Sequence, residues 1–408
     1  MGNSESSSAS SSDPRFNSAC RAFTHTELED LKSLFASLAA KSQSNGQYIS
    51  PAVFKEYTGI EGPLGERLFG LVTQKQNDQK LTFQDLVVAK GTYEKGTKDD
   101  IEEFIFQLLD VNSDGVVTRS DLESALATMQ SCIFPGPGSV EFVEILLTVA
   151  TFERDDSLSF DDFRKWCNLL PSVRKFLGSL LMPSNSGSQV PKLICLESVD
   201  PNLVLLKREY AWVIGGALSH ELDEWKLLYH SAVHGQSFNT FLGKISNNEG
   251  PTVLVIKDRE GHIYGGYASQ PWEKHGDFYG DLKSFLFRLY PKASIFRPTG
   301  ANHNLQWCAV NFSSDSIPNG IAFGGRVNHF GLFVSANFDK GHTFECTTFG
   351  SPPLSRSSNI QPEVIECWVV LQKGPQQEMP ESVKGTVLER FKEDRHMLNM
   401  VGLANSSE

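Results

Sequence analysis

The 408-residue chain is 40% hydrophobic, which is enough apolar material for two sizeable cores and too much chain for one ordinary domain. Its formal net charge of −12 lacks the Lys/Arg surplus that a phosphate backbone demands, so non-specific nucleic-acid binding is excluded, whereas divalent cations and basic partners suit an acidic surface. No window offers the roughly 18 consecutive apolar residues of a membrane-spanning helix, and the seven cysteines show neither a CxxC pair nor a secretory signal ahead of them, which implies a reducing compartment.

Met1-Gly2-Asn3-Ser4-Glu5-Ser6 fits the N-myristoylation pattern, with Gly2 as the acylated amine and a hydroxyl at position 6. The Ser-rich stretch that follows has no apolar periodicity, and residues 1–19 are expected to be a disordered tether. A single acyl chain binds a bilayer only marginally, with K on the order of 10⁴ M⁻¹. No polybasic run reinforces it, so membrane residence should be reversible or partner-assisted.

Residues 20–182 carry helical spacing around one loop rich in oxygen ligands. Asp110-Val111-Asn112-Ser113-Asp114-Gly115-Val116-Val117-Thr118-Arg119-Ser120-Asp121 places oxygen side chains at loop positions 1, 3, 5, 9 and 12, with Gly at 6 and an apolar residue at 8. That is the EF-hand pattern. Asp110, Asn112 and Asp114 supply hard oxygen ligands, Gly115 the sharp turn, Val116 its backbone carbonyl, and Thr118 a direct or water-mediated contact. Asp121 departs from the pattern. It stands where a bidentate Glu is usual, so the expected ion is Ca²⁺ held weakly, with Mg²⁺ as competitor.

The same rhythm recurs around the loop, with an apolar residue near position 8 at Ile49, Leu81, Val117 and Leu158 and another five residues on at Phe54, Leu86, Leu122 and Phe163. Four EF-like units fit. In the last, Glu153, Asp155, Ser159 and Asp162 could ligate in part, but Thr151 occupies position 1 and Asp156 replaces the glycine at 6. The units around Ser44–Gly46 and Gln76–Asp78 lack the carboxylates and read as packing partners.

A Pro/Ser/Gly run over 183–192 marks a linker. Beyond it the apolar spacing reads as helical from Leu203 to Tyr229, then as strands in runs such as Val253–Ile256, Phe285–Phe287 and Cys367–Val370. Trp225-Lys226-Leu227-Leu228-Tyr229-His230-Ser231, Gly235-Gln236-Ser237-Phe238, Gly265-Gly266-Tyr267-Ala268, Trp272, Phe323-Gly324-Gly325, Gly331-Leu332 and Glu366-Cys367-Trp368, in that order, resemble the TLDc domain. Together with the EF-like region and the acylation signal, the chain resembles the EF-hand/TLDc proteins of animals and plants. The resemblance implies an α+β, multidomain architecture: a helical EF-hand region followed by a TLDc β-sandwich with flanking helices over 193–373. It also implies a cytoplasmic protein, peripheral on lysosomal or vacuolar membranes, whose partner is the V-type proton pump or an mTOR-type signalling complex. At Ser219-His220 the sequence departs from the Leu-Pro of many TLDc domains.

No catalytic set emerges from these motifs. Gly265-Gly266 and Gly324-Gly325 lack the Lys-Ser/Thr or GxGxxG context of a phosphate cradle, His220-Glu221-Leu222-Asp223-Glu224 lacks the second histidine of a zinc-protease helix, and no GxSxG elbow is present. The expectation is a calcium-responsive adaptor and not an enzyme. The rival is a thiol-dependent activity against peroxide, with Cys308 or Cys346 as nucleophile. Residues 380–401 read as an amphipathic helix that packs at home or meets a partner.

Overall fold

The computed structural model describes residues 13–42, 44–73, 79–136, 139–153, 155–182, 189–218, 224–314 and 316–371. Gly2, Ser219-His220, most of the 183–192 run and the 380–401 segment lie outside them.

The N-terminal half is helical: α1 (Pro14–Ala22), α2 (His25–Lys41), α3 (Pro51–Thr58), α4 (Gly62–Val72), α5 (Phe83–Lys90), a π-helical turn (Gly91–Lys95), α6 (Lys98–Leu109), α7 (Arg119–Ile133), α8 (Val140–Leu147), α9 (Phe160–Leu169) and α10 (Pro171–Leu177). Order begins earlier than the Ser-rich composition implies. Asp13 caps α1 by accepting the Arg15 amide, Pro14 opens the helix, and Phe16 and Ala19 pack on Phe23, Leu31 and Val87. The loops between successive helices pair through the apolar residues of the recurring rhythm. Ile49 bridges Leu81, and β1 (Val117–Thr118) pairs antiparallel with β2 (Ser157–Leu158), Val117 facing Leu158.

The C-terminal half holds two sheets. The seven-stranded sheet runs β3 (Lys192–Ile194), β4 (Glu224–His230), β14 (Pro362–Leu371), β5 (Thr252–Asp258), β6 (Ile263–Ala268), β7 (Phe285–Tyr290) and β8 (Ser294–Phe296) in spatial order. The five-stranded sheet runs β13 (Asn359–Ile360), β12 (Gly341–His342), β11 (His329–Ser335), β10 (Gly320–Arg326) and β9 (Gln306–Ala309). Leu254, Ile256 and Leu286 from one sheet and Cys308, Phe323 and Leu332 from the other share a single core. Helices α11 (Arg208–Gly215), α12 (Ser231–His234) and α13 (Phe238–Ile245) flank them.

Two sequence readings change here. Trp225–Tyr229 is a strand and not part of a helix, because Trp225, Leu227 and Tyr229 are buried in alternation with the exposed Lys226 and half-buried Leu228. Lys192, placed at the end of the linker, already pairs with Glu224 in β3.

The helical half and the sheets are not separate cores. One apolar cluster runs from Phe35 and Leu126 through Trp166 and Phe176 to Trp212, Trp225, Phe287 and Trp368. At the seam Phe134 and Phe142 pack edge-on against Trp212, with ring centroids 6.4 and 6.1 Å away. The Ala293 amide donates to the Ile145 carbonyl at 3.0 Å. Gly216 lies so close to the Ser172 backbone that a β-carbon there would collide with it.

Candidate functional site: the Asp110 loop and the TLDc domain

The loop begins where α6 ends and closes into α7. Asp110 is buried, and its carboxylate accepts the amides of Asp114 at 3.2 Å and Gly115 at 3.0 Å, so loop position 1 turns inward over the turn. Ser113 and Gly115 take positive φ of 58° and 88° to make that turn, which Gly115 adopts without steric cost. Asp114 accepts the Val116 amide at 3.1 Å, Asn112 and Asp114 are exposed, and Val116 is half-buried. Thr118 caps α7 in a reciprocal box with Asp121: the Asp121 amide donates to the Thr118 hydroxyl at 3.2 Å, and the Asp121 carboxylate accepts the Thr118 amide at 3.2 Å and its hydroxyl at 2.6 Å. Arg67 donates to the carbonyls of Gln107 and Asp110, tying α4 to the C-terminal end of α6.

The donor types fit a hard, oxygen-preferring cation. They lie along one turn, but among the described residues no group of three or more His, Cys, Asp or Glu side chains converges on a single point. Asp121 is committed to its cap.

In the neighbouring loop the carboxylates have other duties. Asp155 accepts the Ser157 hydroxyl at 2.6 Å, Asp162 pairs with Lys165 at 2.8 Å, and Asp156, at φ 63°, reaches across to Arg119 at 2.9 Å. Asp156 thus takes up the left-handed turn of the missing glycine, and its carboxylate is spent on the Asp110 loop. In the first loop Ser44 fills the interior, its hydroxyl donating to the Tyr48 and Ala39 carbonyls at 2.6 and 3.1 Å.

Within the sheets, Gly265 and Gly266 lie inside β6 and not at a phosphate-binding turn. A β-carbon on Gly266 would stand 2.7 Å from the Phe323 ring of the opposite sheet. Gly324 and Gly325 take φ of 67° and 82° in β10, and a β-carbon on Gly324 would stand 2.5 Å from the Cys346 sulfur. Glu366, fully buried in β14, accepts the Leu205 amide at 2.6 Å, the Leu206 amide at 3.2 Å and the Trp368 indole N–H at 2.9 Å. Burial pushes its pKa up against those donors. His230 accepts the Ala232 amide at Nδ1, which leaves Nε2–H to face the Leu203 carbonyl at 3.2 Å. This clasp fixes residues 203–206 to the central strand. The Glu366-Cys367-Trp368 motif pointed to it only as a resemblance, since its partners lie some 160 residues upstream.

The thiols of Cys308, Cys367 and Cys167 are poor nucleophiles by environment. Burial pushes Cys308 and Cys367 up to about 12, and it raises Cys167 further. Cys346 is enclosed beside Gly324, Gly331 and Phe349.

Comparison with known proteins agrees with this geometry. The TLDc domain family matches residues 203–371. The mTOR-associated protein MEAK7 of Gallus gallus is 36% identical over 255 residues, 61% of this chain and 48% of that protein. The Homo sapiens protein of the same name is 36% identical over 45% of this chain and 40% of its own length. Oxidation resistance protein 1 of Mus musculus is 26% identical over 55% of this chain and 25% of that protein. The matches therefore span less than half of each relative. Residues 203–371 thus carry the match to the TLDc domain family.

Proposed function

We propose that the chain is a regulatory adaptor in which the Asp110–Asp121 loop binds Ca²⁺, with Mg²⁺ competing, and the TLDc domain engages a protein partner. The observation that carries this reading is the shared core. Helix α7 leaves the loop at Asp121 and ends at Ile133, and the next residue, Phe134, packs on Trp212 at the entry to the TLDc domain, so a change at the loop has a packed route to the sheets. The partner class follows from the relatives named for association with mTOR, with an mTOR-type complex ahead of the V-type proton pump. Acylation at Gly2 would supply the peripheral attachment to lysosomal or vacuolar membrane.

A thiol-dependent oxidation-resistance activity is the alternative, supported by the likeness to oxidation resistance protein 1. The enclosure of Cys308 and Cys346, and the burial that pushes Cys308 up to about 12, oppose it as a chemical mechanism.

Titration calorimetry on the full chain tests the ion site. Asp110→Ala should abolish divalent-ion binding. Asp121→Glu should tighten it, since the longer arm can reach the ion while keeping the cap. Purification of the full chain from cells in calcium or in chelator, probed for mTOR, tests the partner. Recovery that is equal in both conditions and unchanged by Asp110→Ala would sink the calcium-responsive part of the reading.

A further inference from the structure

Three contiguous cavities form one groove along α6. The first, about 430 Å³, lies between α1, the π-helical turn and α6 and is lined by Ala19, Val88, Thr92 and Phe104. The second, about 390 Å³, shares Val88, Thr92 and Phe104 and reaches Leu71. The third, about 440 Å³, continues from Leu71 past Phe106 to Asp110, Ser113 and Gly115 of the loop. Gln107 lines all three. Ala19, Val88, Phe104, Leu71 and Phe106 make an apolar floor, whereas the rims carry both charge signs, with Arg15 and Lys95 against Asp100 and Glu103 in the first cavity and Arg67 against Glu103 and Asp110 in the third. Such a rim selects neither an acidic nor a basic peptide. It suits an uncharged, apolar occupant. At Gly91, in the π-helical turn, α1 comes so close that a β-carbon would stand 3.1 Å from the Ala19 methyl; such turns recur at functional sites.

We propose that this groove is the internal seat of the acyl chain carried by Gly2, an inference that rests on the acylation reading above. The entry point of the chain supports it. Residues 1–12 precede Asp13 directly, and α1 forms the groove's first wall. Twelve residues reach at most about 40 Å, ample to return to a wall that starts at Arg15. Apart from Met1 and Ala9, those residues are Gly, Asn, Ser and Glu, so the polypeptide itself has little to bury in an apolar floor and the lipid does. With an intrinsic affinity like that for a bilayer, on the order of 10⁴ M⁻¹, and a local concentration of about a millimolar, roughly nine acyl chains in ten sit inside. The groove and the membrane then compete for one lipid. The far end of the seat is walled by the Asp110 loop.

The test uses the full chain co-expressed with an N-myristoyltransferase, intact mass giving the acylated fraction. Sedimentation with neutral phosphatidylcholine vesicles compares acylated wild type with acylated Thr92→Trp and with acylated Gln107→Trp. The second variant changes an exposed residue and so preserves the fold if the first does not. The same variants without the lipid serve as blanks. Filling the groove should raise vesicle partition up to about tenfold, and a photoreactive acyl analogue should cross-link to groove residues in the wild type and lose those cross-links in the variants. Equal partition of all three acylated proteins, with no cross-link in the groove, overturns the seat. A chain that takes up no acyl group overturns the acylation, and the seat with it.

Discussion

His342 shows what a single residue contributes when its surroundings set its charge. Its imidazole lies among the rings of Phe330, Phe333 and Phe344, with centroids 5.8, 5.0 and 4.8 Å away. Burial, and after it the charge of His329, pushes its pKa down to about 4. In the unfolded chain it titrates near 6.5. The folded form therefore holds fewer protons between these values, so its contribution to stability is complete above pH 6.5 and is lost as the pH falls toward 4. By pH 5 the loss is at most about 2 kcal/mol. His342→Phe should shrink the drop in melting temperature between pH 7 and pH 5, at a constant cost for the hydrogen bond that Nε2 accepts from the Phe330 amide at 3.4 Å. An equally steep drop in the variant would assign the titration elsewhere. No sequence signal marks this histidine, because its ring neighbours come together only in the folded five-stranded sheet. The place of Asp110 at the head of a tight turn, by contrast, was legible from position alone, since that loop is twelve residues of contiguous chain.

At the scale of elements, local chemistry carried far and pairing did not. Among the described residues four helices begin with a reciprocal cap, Thr24 with Glu27, Thr82 with Asp85, Thr97 with Asp100 and Thr118 with Asp121. Each is readable as a hydroxyl followed three residues later by a carboxylate. The rhythm at Ile49, Leu81, Val117 and Leu158 marks residues that do pair, Ile49 with Leu81 and Val117 with Leu158. Strand β4 escaped because the apolar Leu228 on its more open face breaks the alternation in sequence and its ladder partner β14 lies far along the chain, Leu227 opposite Trp368; a run this short and this apolar leaves little to separate it from a helix. The cap on α7 gives a separate test from the ion. Thr118→Ala should cost about 1 kcal/mol, read as a lower melting temperature in chelator, where no ion contributes. Unchanged melting in chelator would show that α7 is held by its packing and not by its cap.

Across the whole described chain up to residue 371, the continuous apolar cluster predicts one cooperative unfolding transition in calorimetry, the helical half and the sheets melting together. Composition and the Pro/Ser/Gly run suggested two cores because the seam is built from residues distant in sequence: Phe134, Phe142, Ser172, Trp212, Gly216 and Ala293. Gly216 is its narrowest point. Gly216→Ala forces a methyl into the Ser172 backbone and should cost about 1–3 kcal/mol, resolving the single transition into two as the halves uncouple. A wild type that already melts in two steps would show that the seam is too weak to join them.

Strand β14 ends at Leu371, yet it lies between β4 and β5 in the middle of the seven-stranded sheet. During synthesis β4 and β5 leave the ribosome more than a hundred residues before the strand that will separate and pair them. At about 5–20 residues per second both expose a bare hydrogen-bonding edge for several seconds or more, the condition under which strands capture one another or a neighbouring chain. The nascent protein thus depends on β14, and a translational pause or stop before residue 362 leaves a polypeptide with two adhesive edges and no means of closing the gap between them.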